Sequence, residues 1–211
     1  MAYNICSPYI FVYIATYIKY KMCLLKMKEV VLCFLDIESN MLRDSWLNSW
    51  AARLAPRSKH KRAPQVHVEL FFRDGDSNEG YCTSITYNKK IHWFKKSFSR
   101  QWSFRSIYMA DHIYVKLKAF CLQHIGCKFN KVGFYLMSIG LRIPGTYPTY
   151  FGFKRRFFCS EYVATALREC ELLPQNASKV MHPQELYELI APISSISSLK
   201  QYGHDEINYD I

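Results

Sequence analysis

A cysteine that follows two phenylalanines and opens an amphipathic pattern is the strongest candidate for chemistry in this chain. In Arg155-Arg156-Phe157-Phe158-Cys159-Ser160-Glu161-Tyr162-Val163-Ala164 and the residues after it, Tyr162, Val163, Ala166, Leu167 and Cys170 recur at helical spacing. Cys159 therefore falls at or just before a helix N-terminus. Ser160 and Glu161 lie in the first turn, where a small polar residue and an acid suit the unpaired amides. The helix end favours a thiolate, but only by about 0.3–1 kcal/mol. A free thiol titrates near about 8.5, so an effective nucleophile at neutral pH needs a cation beside it, and an imidazolium is the usual one.

The chain has seven histidines. One of them stands in a strand pattern, Val66-His67-Val68-Glu69-Leu70-Phe71-Phe72, closed by the turn-rich Arg73-Asp74-Gly75-Asp76. Alternation sends Val66, Val68, Leu70 and Phe72 to one face and His67, Glu69 and Phe71 to the other. His67 and Glu69 thus share a face, either as exposed polar residues on a half-buried strand or as a base with an acid beside it.

Several elements have to hold these residues. Val30-Val31-Leu32-Cys33-Phe34-Leu35 reads as a buried strand. Ser39 or Asn40 caps a helix with Leu42, Trp46, Trp50 and Leu54 along one face, and Pro56 stops it. Residues 57–62 are a basic loop, suited to phosphate contact or simply to solvent. Strands follow over 81–87, 91–94 and 102–109, which suggests an antiparallel meander of about five strands. Asp111 opens a helix through residue 125, with Ile113, Leu117, Phe120 and Cys121 as its stripe and Gly126 as its stop. Residues 127–156 read as broken, loop-rich and aromatic, like a cleft wall or a surface excursion. Residues 183–190 make a short helix with proline in its first turn.

Composition limits the classes. Half the residues are hydrophobic and 16% are aromatic, which favours a sheet-containing α+β domain. The 28 Lys and Arg against 17 Asp and Glu give a net charge of +11, which suits anionic partners, whether a membrane surface or nucleic acid. The eight cysteines form no CxxC pair and no dense framework, so a reducing, intracellular compartment is expected. Cys121, His124 and Cys127 supply three potential zinc ligands without a fourth. No phosphate loop, dinucleotide fingerprint or HExxH motif is present. Residues 8–18 are apolar but too short to span a bilayer. The expected organisation is an extension over 1–26, serving as an interfacial anchor or left poorly ordered, a domain over 27–192 and a loose tail over 193–211.

His67-Val68-Glu69-Leu70, followed far downstream by Phe158-Cys159-Ser160-Glu161-Tyr162-Val163, resembles the circularly permuted papain-like hydrolases of the NlpC superfamily. That branch includes YiiX-like bacterial proteins and homologues in large DNA viruses, with lecithin–retinol acyltransferase in a related branch. Gly126-Cys127-Lys128-Phe129-Asn130 and Gly133-Phe134-Tyr135 also resemble the family's segment before the cysteine, and the resemblance covers roughly residues 28–192. It implies a papain-like fold with Cys159 as nucleophile, His67 as general base and ion-pair partner, and a third polar group orienting His67. Glu69 is the first choice for that group, Ser84 the alternative and His92 a third candidate. Contact between residues two apart on one strand is not assured, since they stand about 6.5–7 Å apart. Glu161 is assigned to the helix terminus or cleft rather than to catalysis. The implied reaction is acyl transfer from an amide, ester or thioester of a peptide or lipid to water or another acceptor, with no cofactor and no metal. The opposing reading is a non-catalytic basic binding module, and a third is an inactive enzyme fold used as a scaffold.

Overall fold

Six apolar residues in succession, Val30 to Leu35, leave no polar face for water, so this stretch has to be covered on both sides. A computed structural model describes residues 27–37, 63–73, 79–96, 98, 102–137, 139–145 and 155–197. There the stretch lies in β1 (Met27–Asp36), inside a six-stranded antiparallel sheet. The other strands are β2 (Gln65–Arg73), β3 (Gly80–Ser84), β4 (His92–Lys95), β5 (Trp102–Ala110) and β8 (Ser195–Ser197), in the order β4-β3-β2-β1-β5-β8. The expected extension over 1–26, the helix after Asn40, the basic loop over 57–62 and the end of the tail lie outside the described residues.

The first four strands form the expected meander, but β5 does not continue it. It crosses back to the other edge of β1, pairing Met27 with Ala110 through Leu35 with Trp102. A strand that is apolar on both faces makes a poor edge, and pairing on both sides satisfies its backbone. The third strand stops at Ser84 rather than running to residue 87, where the chain turns through Asn88 at φ 61°. Residues 195–197, inside the stretch expected to be loose, add a short sixth strand on Phe104 to Ser106 of β5. Ile196 there stays 74% exposed, so the strand is joined through its backbone rather than through the one large apolar side chain it carries.

Both faces of the sheet are covered. On one, Val30, Leu32, Phe34, Val68, Leu70 and Phe72 meet the helices. On the other, Val31, Cys33, Leu35, Phe71 and Cys82 pack with Phe98, Trp102 and Phe104. The second strand is therefore covered on both sides rather than half-buried, and the face of His67 and Glu69 is not a solvent face.

Among the described residues there are four α-helices: α1 (Asp111–Gln123), α2 (Lys131–Met137), α3 (Cys159–Glu169) and α4 (Pro183–Leu189). The first buries Leu117 and Cys121 and ends before Gly126 at φ 85°, the left-handed conformation expected of a helix stop. The second lies in the stretch expected to be broken loops; it starts because Asn130 Oδ1 accepts from the Gly133 amide at 3.0 Å and caps the turn. The third packs against β2 and α1. Its Tyr162, fully buried, shares a 2.9 Å hydrogen bond between its hydroxyl and Thr83 Oγ1 on β3. No helix among the described residues is long and apolar enough to cross a membrane.

The approach to α3 is fixed by a small parallel pair, β6 (Lys128–Phe129) with β7 (Arg156–Phe157). Phe129, Phe157 and Phe158 are buried beside it, and the Arg156 amide donates to the Gly145 carbonyl at 3.1 Å. A Cβ on Gly145 would collide with the Arg156 carbonyl oxygen. We predict that Gly145→Ala destabilises the protein by about 1–3 kcal/mol, measured by urea unfolding with the m-value unchanged. A variant as stable as the parent would contradict this packing.

Candidate active site

Cys159 is the first residue of α3, and Phe158 before it is extended at φ −105° and ψ 173°. The N-terminal amides of a helix have no partner within it. Two of the backbone amides around this corner are met by one acid. Glu161 Oε1 accepts from the Gly145 amide at 2.6 Å, while Oε2 accepts from Asn130 Nδ2 at 3.0 Å and from the Phe158 amide at 3.4 Å. Burial raises the Glu161 carboxyl above its usual range, with Asn130, the two amides and Arg155 opposing that rise. Glu161 thus holds the helix start and the segment before it, as expected. Ser160 does something else: its hydroxyl is buried and donates to the Met181 carbonyl at 2.6 Å, tying α3 to the chain entering α4.

His67 comes from the first half of β2 and lies where the two cores meet. Its ring stands edge-on to Trp102 at 6.2 Å, on the aromatic side. Cys159, whose side chain belongs to the helical core, also acts on this imidazole. His67 Nε2 lies 3.1 Å from Glu69 Oε1 and 3.2 Å from Ser84 Oγ. Cys159 is 7% exposed and the His67 side chain 14%, so the pair is shielded but reachable.

Both candidates for orienting His67 therefore reach the same nitrogen. Glu69 does so from two residues along the strand, because its side chain bends back to the imidazole. Ser84 lies diagonally across on β3. His92 does not join them: it pairs with Ser84 in the register, but its side chain is exposed and its Nδ1 lies 2.9 Å from the Lys90 carbonyl.

Sequence reasoning missed Lys96. Its Nζ lies 2.5 Å from Glu69 Oε2, and its side chain is 1% exposed, whereas that of Lys95 is 65% exposed. Cys82 Sγ also donates to Glu69 Oε2, at 3.0 Å. Glu69 is 2% exposed. Burial alone would raise its carboxyl, but the Lys96 charge, then the His67 hydrogen bond and charge, then Cys82, hold it well below the carboxylate range. For His67, burial pulls the imidazole down, and the charge and hydrogen bond of Cys159, followed by those of Glu69, outweigh it and lift it to about 9. The hint in the sequence was parity, since Lys96 stands two residues after Phe94, just past the end of β4.

Cys121, His124 and Cys127 do not gather. Cys121 is buried, which pushes its thiol up to about 12, and His124 stacks on Phe120 with Nδ1 2.8 Å from the Phe120 carbonyl. Among the described residues no three His, Cys, Asp or Glu side chains are placed to hold a metal ion. No family model, curated protein or solved structure matches this chain.

The two shifted groups set opposite pH windows. His67 is raised from 6.5 to about 9, so its contribution to stability is complete below 6.5 and is lost as pH rises through about 9. Glu69 is depressed, so its contribution is present above 4.5 and is lost as pH falls towards its folded value. Urea unfolding should show stability falling between pH 6.5 and about 9, with His67→Gln flattening that slope. Parallel profiles for the two proteins would contradict the assignment.

Proposed function

We propose that this protein is a cysteine hydrolase or acyltransferase of the permuted papain-like kind, in which Cys159 is the nucleophile and His67 its acid and base. The observation that carries this reading is one imidazole that the Glu69 carboxylate holds at 3.1 Å and on which Cys159, at the start of α3, also acts. A nucleophile, a base and an orienting group in sequence are what acyl transfer through a covalent intermediate needs. The fold supports the same reading. The histidine strand precedes β3, β4 and β5 in the chain and the cysteine opens a later helix packed against that strand, which is the order the permuted family uses.

In this mechanism the proton of Cys159 rests on His67, and the thiolate attacks the carbonyl carbon of an amide, ester or thioester. The carbonyl electron pair moves to oxygen, where the Cys159 backbone amide in the first turn of α3 is a suitable donor. As the tetrahedral species collapses, the bond to the leaving group breaks and His67 gives that group its proton. The acyl chain is left on sulfur. Water, or another acceptor, then loses a proton to His67 and attacks the thioester, releasing the acyl product and restoring the ion pair. Glu69 and Ser84 hold the ring throughout.

Val132, Tyr135, Ile139, Leu141 and Ile143 are exposed on the segment that Asn130 and Gly145 tie to Glu161, which favours an acyl-bearing substrate. A basic binding module with an inert Cys159 has less support, because such a module has no use for a buried carboxylate against His67.

p-Nitrophenyl octanoate tests the proposal. Mass spectrometry should find one octanoyl group on Cys159, none with Cys159→Ala, and with His67→Ala a rate lower by about a hundredfold or more. Labelling that persists in Cys159→Ala, or is indifferent to His67→Ala, would overturn it.

A further inference from the structure

Lys96 is placed where a lysine is expensive. It follows β4, its side chain is almost wholly buried, and its ammonium lies 4.0 Å above the Trp102 ring, with Phe98 at 4.9 Å and Phe94 at 5.7 Å. A charge taken from water into such a cage persists only if it is paired, and ring faces alone offset little of that loss. Its ion-pair partner here is Glu69 Oε2, the oxygen that does not face His67. The two oxygens of this carboxylate are thus divided, one to the imidazole and one to the ammonium. A carboxylate held at Oε2 cannot rotate away from the ring.

Resting on the thiolate–imidazolium reading above, we propose that Lys96 is a positioning residue of the site. Its ammonium fixes the Glu69 carboxylate and completes a buried row of alternating charge, Lys96, Glu69, His67 and Cys159. The row sums to zero when His67 is an imidazolium and Cys159 a thiolate. Without Lys96, Glu69 and His67 neutralise each other and a thiolate becomes an uncompensated charge, so the thiol form is favoured. Among the described residues the other groups beside the carboxylate are Cys33, paired with Glu69 across β1, and Cys82 on β3, while Ser84 reaches the same imidazole. Burial and the Glu69 charge push both thiols well up, so they stay neutral and do not alter the sum. Lys96 touches no reacting atom, and its effect runs through Glu69.

The test is the pH dependence of Cys159 alkylation by iodoacetamide in the full chain, read by mass spectrometry. Lys96→Met should move the acid limb up by at least about one pH unit, a tenfold loss of thiolate below the midpoint. Lys96→Arg should keep the limb near the wild-type position. Lys96→Met with Glu69→Gln, which removes both charges, should bring the limb back towards wild type, an opposite-signed coupling that lost packing would not produce. Where Lys96→Met does not fold, Lys96→Gln carries the same prediction. His67→Ala separates the two claims. A limb that moves with His67→Ala but not with Lys96→Met overturns the role of Lys96 alone. A wild-type thiol titrating near about 8.5 and indifferent to His67 removes the thiolate reading and this inference with it.

Discussion

The Glu69 carboxylate is an anion inside the protein, and the arrangement around it follows from that constraint. An ion in such a place either loses its charge or gathers partners, and breaking a buried pair costs about 3–5 kcal/mol. Glu69 gathers three: the Lys96 ammonium, the His67 imidazole and the Cys82 thiol. Each comes from a different position around the sheet, so the carboxylate joins β2 to β3 and to the segment after β4. The aromatic core of Phe71, Phe98, Trp102 and Phe104 excludes the water that would otherwise screen these charges. One buried anion thus decides which way His67 points.

A second buried carboxylate does the corresponding work on the helical side. Glu161 holds the Gly145 and Phe158 amides and Asn130, which fixes where the chain enters α3. Glu69 places the imidazole and Glu161 places the sulfur. The first is paired with a cation and stays ionised; the second meets backbone and amide donors, and burial raises it. The two acids therefore titrate in different directions although both are buried. Tyr162 ties the two halves together, since its hydroxyl reaches Thr83 on the strand next to β2.

Much of this was legible in the sequence where the pattern was local. The helical spacing after Cys159 placed it at a helix start, and strand alternation put His67 and Glu69 on one face. The stripe of α1 and the proline opening α4 were equally plain. Features that depend on distant chain were not. The pairing of β5 with β1 joins residues far apart; the two apolar faces of β1 call for a central strand but do not say which strand fills its second edge. Residues 195–197 pair with β5 while Ile196 stays exposed, so this short stretch carries little packing signal. The α2 helix begins on an Asn130 cap inside a run of glycine and aromatic residues that reads as loop. Lys96 was the largest omission. Two adjacent lysines look alike in sequence, and only the position of Glu69 across the sheet separates the buried one from the exposed one.

The central claim is that His67 and Cys159 form an ion pair, and the protonation state of the His67 ring tests it most directly. Nitrogen-15 NMR of the His67 imidazole at about pH 7.5 should show both ring nitrogens protonated, the imidazolium that a thiolate neighbour and Glu69 hold together. A neutral ring with a single protonated nitrogen at that pH would contradict the account.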